Sequence, residues 1–342
     1  MTDTGLNLSS GPTDLIGRLR ITLARRTEGR ALALLVVVAI GALIFEPVVF
    51  TSYDVTLGRI ALIGLVALGL TAVILMGELD LSVASTLALT GVVMASIDNL
   101  AFGVVAALVV GLLIGMANAF FVVVVGINSF IATLGMLFFL RGLGFVVSDE
   151  APVRISDVDA GISFGKPLIG DLTPRMLIFI VTFISMHIFM TRVRVGREFY
   201  AVGGNRQAAR DAGIPVRRRV FTGFMISGFV AATAGVINTL ERTAADPTAG
   251  STVLLSSFAA AIIGGILLTG GRGSVFGTLL GATSLGILQV ALTLSAVQVD
   301  VQNIIIGGVL LIAVITDPDS VRAVVGSVRS YLRASQAASS EA

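Results

Sequence analysis

The sequence predicts an all-α polytopic membrane protein with about ten transmembrane helices. Three observations carry that reading: 55% of the 342 residues are hydrophobic, only 13% are charged, and the apolar residues fall in continuous runs. A soluble domain of this length has too little interior to hide so much apolar side chain and needs charge on its surface. A membrane barrel would alternate apolar and polar residues, which these runs do not. The 39 glycines are too many for long soluble helices but normal where membrane helices pack through small residues.

Each span needs roughly 20 apolar residues. Runs at 31–50 and 57–76 supply the first two. Gly77-Glu78-Leu79-Asp80-Leu81-Ser82 then interrupts the pattern, and a shorter run follows at 83–97. Runs at 102–125 and 129–147 complete five spans before the polar stretch 148–173. A sixth at 174–190 precedes the basic segment 192–219, after which come 220–240, 253–268, 275–294 and 301–315. The short third and eighth runs are expected to be broken or partly re-entrant. Residues 1–30 are expected to form a cytoplasmic N-terminal segment, 31–316 the transmembrane domain, and 317–342 a cytoplasmic tail. The first run is long enough to span, so no cleavable signal peptide is expected.

Charge fixes the orientation. Segment 192–219 holds eight arginines against Glu198 and Asp211. Segment 148–173 holds Asp149, Glu150, Asp157, Asp159 and Asp171 against Arg154 and Lys166. The positive-inside rule therefore places the first loop in the cytoplasm and the second outside, and ten spans return both termini to the cytoplasm. Arginine that follows topology in this way speaks for a bilayer, not for nucleic acid. With no cysteine and one histidine, His187, neither thiolate chemistry nor a multi-histidine metal site is expected. An inverted repeat is also suggested: Phe102-Gly103 opens a span with Gly111 and Gly115, and Phe276-Gly277 opens one with Gly281 and Gly286.

Four groups of residues are candidates for function. Glu78, Asp80 and Ser82 lie at a break between apolar runs, where ionisable groups line a pathway, close a gate or cap the next helix. Asn128 and Gln289 are further candidates for the translocation path or gate: Asn128 is also expected to cap the fifth span, and Gln289 to face either a solute path or a neighbouring helix. In the basic segment, Asn205 is placed to cap a short helix through Arg206, Ala208, Ala209 and Arg210, with Gly213 and Pro215 as its stop. Such a capped helix reads as a docking element, or as an interfacial helix touching anionic lipid; Gly196, Arg197, Gly203 and Gly204 precede it. Gly203-Gly204 lacks the lysine and serine of a phosphate loop. Gly270, Gly271, Arg272 and Gly273 form a tight cytoplasmic turn, a gate, or a surface for the same partner.

These residues resemble one family. Glu78-Leu79-Asp80-Leu81-Ser82-Val83 resembles the (G/E)IDLSVG signature of permeases from ribose- and xylose-type ABC importers. Phe130 to Met136 with Arg141-Gly142 resembles their FIATLGM…RG segment, Gly196 to Ile214 their GRxxYAxGGNxxAAxxxGI segment, and Gly264 to Gly277 their GGxSLxGGxGSxxG segment. All four occur in order across residues 60–316; Ala84 replaces the usual glycine after Val83.

The resemblance implies an ABC importer permease fold, a homodimer, and two cytoplasmic ATPase subunits that bind ATP and Mg. It also implies an extracytoplasmic solute-binding protein and a sugar-like solute, in the bacterial inner membrane. It makes Asn205 to Gly213 the coupling helix seated on the ATPase, and sets the Asp80 region near the pathway. The chain itself is expected to bind no cofactor and catalyse no reaction. A permease for branched-chain amino acids, an ion-driven carrier and a membrane enzyme are the competing readings.

Overall fold

The computed structural model describes residues 27–315. The expected tail at 317–342 and most of the N-terminal segment 1–30 lie outside them. The helices are α1 (Thr27–Phe45), α2 (Tyr53–Ile74), α3 (Val83–Ala95), α4 (Leu100–Ala119), α5 (Ser129–Val147), α6 (Val158–Phe164) and α7 (Pro174–Arg192). They continue with α8 (Arg194–Gly204), α9 (Arg206–Asp211), α10 (Val216–Arg242), α11 (Ser251–Ile263), α12 (Val275–Leu294) and α13 (Val299–Ile315). Among the described residues seven of these are long and apolar enough to cross a membrane, and α3, α11 and α13 are shorter apolar helices. The third and eighth apolar runs fold as the 13-residue helices α3 and α11.

Several ends differ from the sequence pattern. The first run stops at Phe45, because Pro47 has no amide hydrogen to continue the ladder and instead opens a 3-10 turn, Pro47–Phe50. The fourth run continues past Ala119 as a π turn, Phe120–Val125, closed by Gly126 at φ +86°. The eighth ends at Ile263, five residues before the run does, where Gly264 and Gly265 begin a turn. Segment 148–173 holds α6 and a two-residue strand β1 (Val153–Arg154), which pairs antiparallel with β2 (Ala244–Ala245).

The core lies around α2 and α10. From Ile60 to Ile74 every residue of α2 is buried. Asp54 at the start of α2 and Glu241 at the end of α10 share Arg175. Met76, just past the other end of α2, packs on Gly223 near the start of α10. The two helices therefore run antiparallel.

Their neighbours repeat the relation. Half-helix α3 packs on α4 and α10 as α11 packs on α12 and α2; α4 packs on α10 as α12 packs on α2. The glycines follow suit. Gly103 touches Met94 at the end of α3 and Gly277 touches Gly264 just past α11; Gly111 and Gly115 touch α10, whereas of their counterparts Gly286 touches Ile60 of α2 and Gly281 touches Ala260 of α11. Asn99 and Ser274 cap α4 and α12 in the same way, each accepting from the amide three residues on. The suggested duplication is visible as this inverted pattern of contacts.

Candidate functional site

The basic segment forms two helices, not one. Helix α8 buries Phe199 and Val202 and exposes its arginines. The Phe199 ring meets Phe189 of α7 edge-on at 5.7 Å. Glu198 accepts from Arg194 Nε at 2.8 Å and from Arg219 at the start of α10. Burial pushes this carboxyl up, but hydrogen bonds from Arg219 and Arg194, with their charges, hold it below its ordinary 4.5. Gly196 lies against the backbone of Phe189 and Met190, fixing the sharp bend from α7 into α8, and Arg197 donates to the Arg192 carbonyl at 3.3 Å across that bend.

Asn205 caps α9: its Oδ1 accepts from the amides of Gln207 and Ala208, each at 3.0 Å. The helix closes in a Schellman motif, Ile214 N–H to Ala209 O and Gly213 N–H to Arg210 O, both 2.9 Å. Gly213 stands at φ +76°, a conformation in which a side chain is strained. Arg206, Gln207, Ala208 and Arg210 are exposed, and only Ala209 is buried. The result is a short rigid helix, fixed at both ends, presenting most of its surface outward.

The break after α2 lies directly beneath it. Arg206 pairs with the Glu78 carboxylate, and the same Nη2 donates to the Met76 carbonyl at 3.1 Å. One helix distant in sequence, α5, supplies the hydrogen bonds the broken backbone lacks: Ser129 Oγ accepts from Leu79 N–H and Thr133 Oγ1 from Leu81 N–H, both at 3.1 Å. Asp80 is 1% exposed. Its Oδ1 accepts from Ser82 N–H at 3.0 Å and Ser82 Oγ–H at 2.6 Å, and its Oδ2 from Ser227 Oγ–H of α10 at 2.7 Å. Ser82 Oγ in turn accepts from Asn118 Nδ2 of α4 at 2.7 Å. Ser82 is the N-cap of α3 but makes no side-chain cap. One buried carboxylate thus ties the break to two other helices.

The glycine turn meets the same place. Gly271 N–H donates to the Leu75 carbonyl at 2.8 Å. Gly203 touches Leu75 and Gly271 through backbone atoms alone, and Gly270 lies against Gly77 and Gly203. Any Cβ at Gly203 would occupy the Leu75 carbonyl. The turn itself is closed by Leu267 N–H to Arg272 O at 3.2 Å, with Gly270, Gly271 and Gly273 all at positive φ. Three of the four motifs read from the sequence therefore converge on residues 75–80, and the fourth, at Ser129 and Thr133, braces them from the side.

The remaining candidates lie elsewhere. Asn128 is exposed, and its Oδ1 accepts from Phe130 N–H at 3.0 Å as the cap of α5. Gln289 is buried and donates to Ser256 Oγ at 2.6 Å, joining α12 to α11. Neither touches the break. Sequence reasoning passed over Asn118 and Ser227; their only signal is a polar residue within an apolar run. It also passed over the clasp at the opposite end of the bundle, where Arg175 bridges Asp54 and Glu241 and so joins α7, α2 and α10.

A family model described as "Branched-chain amino acid transport system / permease component" matches residues 52–314, the whole of the bundle from α2 onward save its last residue. Ribose import permease protein RbsC of Escherichia coli (strain K12) is 37% identical over 313 residues, covering 88% of this chain and 97% of that protein. D-allose transport system permease protein AlsC of the same strain is 34% identical, covering 74% of this chain and 79% of that protein. L-arabinose ABC transporter permease protein AraH of Azospirillum brasilense is 34% identical, covering 75% and 77%. No solved structure matches the chain. By these matches the chain, an antiparallel bundle with two short apolar helices, belongs to this family of multi-pass ABC transporter permease components.

Proposed function

We propose that this permease carries a monosaccharide or related polyol into a bacterial cell, across the inner membrane, at the expense of ATP hydrolysed on separate cytoplasmic subunits. The observation that carries the reading is the Arg206–Glu78 pair, which joins an outward-facing capped helix to the break before α3. Helix α9 is the coupling helix in this account. It seats in a cleft of the ATPase; Ala208 and Arg210 face that partner, and Arg206 reaches back to Glu78. Closure of the ATPase on ATP and Mg pushes α9, and the push reaches residues 75–80 by two routes. One is the ion pair; the other is the backbone contact of Gly203 with Leu75 and Gly271. Because packed segments respond by discrete rearrangement, not by gradual bending, a rigid α9 moves α2 and α3 as a unit.

The working assembly is two copies of this chain, two ATP-binding subunits and an extracytoplasmic solute-binding protein. The basic end of the bundle faces the cytoplasm, with both chain termini on that side. Arginine density on the 192–219 segment and carboxylates on 148–173 support this placement. A sugar as solute is supported by relatives named for ribose, allose and arabinose. The family description names branched-chain amino acids, which keeps leucine uptake as the second reading.

Uptake of labelled pentoses, hexoses, polyols and leucine separates them, in vesicles holding this subunit, its ATPase and its binding protein. Saturable sugar uptake that disappears without the ATPase is expected. Leucine uptake without sugar uptake moves the solute to the second class, and uptake without the ATPase marks an ion-driven carrier.

A further inference from the structure

The two half-helices begin at the same point. Gly250, immediately before α11, lies so close to the Ala84 carbonyl in the first turn of α3 that a Cβ there has no room. Beside this meeting point is an open pocket of about 210 Å³, room for roughly seven waters at about 30 Å³ each, at which Arg141, Thr248 and Ser251 are exposed. Its polar lining is Ser85, Thr248, Ser251 and Arg141; Ala88 and Leu254 are among its apolar walls.

Arg141 is the unexpected member. It stands twelve residues into α5, roughly 18 Å from the Ser129 end and roughly 9 Å from the Val147 end at 1.5 Å per residue. Its helix otherwise exposes Phe138, Phe139, Leu143 and Val146. A cation within a span is costly and persists where it meets a partner or a watered path. No carboxylate among the described residues pairs with it. The nearest acid in sequence to the pocket lining, Asp246, is not part of the lining, and it accepts from Thr248 N–H and Oγ1–H, both 2.7 Å.

The hydroxyls are committed as donors. Ser85 donates to the Leu137 carbonyl at 2.7 Å, Ser251 to the Thr248 carbonyl at 2.9 Å, and Thr248 to Asp246. Their oxygens therefore present lone pairs to the pocket, while Arg141 presents a planar fork of N–H donors. A neutral polyol, whose every hydroxyl both donates and accepts, satisfies both sets. An amino acid matches it less well: its carboxylate suits Arg141, but no carboxylate is among the lining residues for its ammonium.

We infer that this pocket is a solute-binding subsite of the translocation path, in which Arg141 donates to hydroxyls of a neutral sugar and Thr248 and Ser251 accept from others. The inference rests on the sugar-permease reading and adds to it the residues that recognise the solute.

The test uses the assembled importer in vesicles, with the binding protein saturated, and compares uptake of the transported sugar with each of its mono-deoxy analogues. Wild type, Arg141→Ala and Thr248→Val are measured. Wild type is expected to carry at least one deoxy analogue roughly tenfold more slowly than the parent, the scale of a hydrogen bond to a charged group. Arg141→Ala is expected to erase that difference, and Thr248→Val to erase the difference at another hydroxyl. A residue with a merely structural role lowers all rates together and leaves the ratios alone. Sugar uptake whose parent-to-deoxy ratios are the same in wild type and both variants overturns the subsite and leaves the permease reading standing. Sugar uptake by wild type that ignores every deoxy substitution overturns it equally. Wild type that carries no sugar overturns the permease reading, and the subsite with it.

Discussion

The Arg206 guanidinium reaches the Glu78 carboxylate across 128 positions of sequence, and the two side chains are unequally covered: Glu78 is 8% exposed and Arg206 43%. The pair therefore straddles the boundary between the bundle and its exposed surface. A carboxylate at that depth is costly without its cation. Any displacement of α9 must either carry residues 76–78 with it or strand Glu78. That asymmetry separates the contact from the exposed ion pairs that contribute little to stability, and under the proposed coupling role it makes the pair a mechanical link.

Arg210 stands on the same helix but faces outward. Reversing its charge is expected to leave the isolated permease as stable as wild type, within about 0.5 kcal/mol. Arg210→Glu is expected to weaken recovery of the ATPase on the tagged permease and to lower ATP-dependent uptake at least several-fold. Normal solute-stimulated ATPase activity in the assembled variant speaks against α9 as the docking helix.

Gly203 and Gly204 adjoin in sequence but not in environment. A Cβ at Gly203 would collide with the Leu75 carbonyl and the Gly271 amide, whereas nothing lies within 4 Å of one at Gly204. Gly203→Ala is expected to cost on the order of 1–3 kcal/mol by overpacking. Gly204→Ala is expected to be neutral or slightly stabilising, since alanine favours helix by about 1 kcal/mol over glycine. Thermal unfolding of both variants in detergent checks the difference.

Asp80 accepts three hydrogen bonds, from Ser82 N–H, Ser82 Oγ–H and Ser227 Oγ–H. Asp80→Ala leaves all three donors buried without an acceptor and is expected to cost roughly 3 kcal/mol or more. Ser227→Ala removes one donor and is expected to cost about 1–2 kcal/mol. If Asp80→Ala is no more costly than Ser227→Ala in chemical unfolding, the carboxylate is not the node described above.

Glu198 offers a pH signature. Its carboxyl is held below 4.5 in the folded protein by Arg219 and Arg194. A depressed folded value means the contribution to stability is complete above the unfolded pKa and is lost as pH falls through the folded one. Melting temperatures of wild type and Glu198→Gln, measured from pH 7 downward, are expected to converge below about pH 4.5. Curves that stay parallel throughout assign no such role to the pair.

Much of this was legible in the sequence, for identifiable reasons. Apolar runs report burial in lipid or core regardless of neighbours, so the ten helices follow from hydropathy, the short α3 and α11 included. Asn205, Gly213 and Pro215 act within one or two turns of themselves, so the limits of α9 follow from local chemistry. What could not be read is long-range. Nothing near Glu78 announces Arg206, and nothing near Leu79 announces Ser129. Gly203-Gly204 reads as a loop until Leu75 and Gly271 explain why one of the two must lack a side chain. Asn118 and Ser227 are single polar residues in apolar surroundings and Arg175 stands at the edge of a polar stretch; the meaning of all three comes from what the fold brings opposite them. Asn128 and Gln289 show the reverse: polar residues at suggestive positions whose hydrogen bonds are local caps or helix contacts.

The measurement that tests the coupling account most directly is ATP-dependent uptake by Glu78→Arg, Arg206→Glu and the double variant carrying both, in vesicles with the partner ATPase and binding protein. Each single change places like charges together and is expected to lower uptake roughly tenfold or more. The double variant restores an ion pair in reversed sense and is expected to recover much of the loss, as interacting residues do in a double-mutant cycle. Single variants that transport at the wild-type rate, or a double variant no better than the worse single, would contradict the claim that Arg206 and Glu78 transmit the motion of α9 to the break before α3.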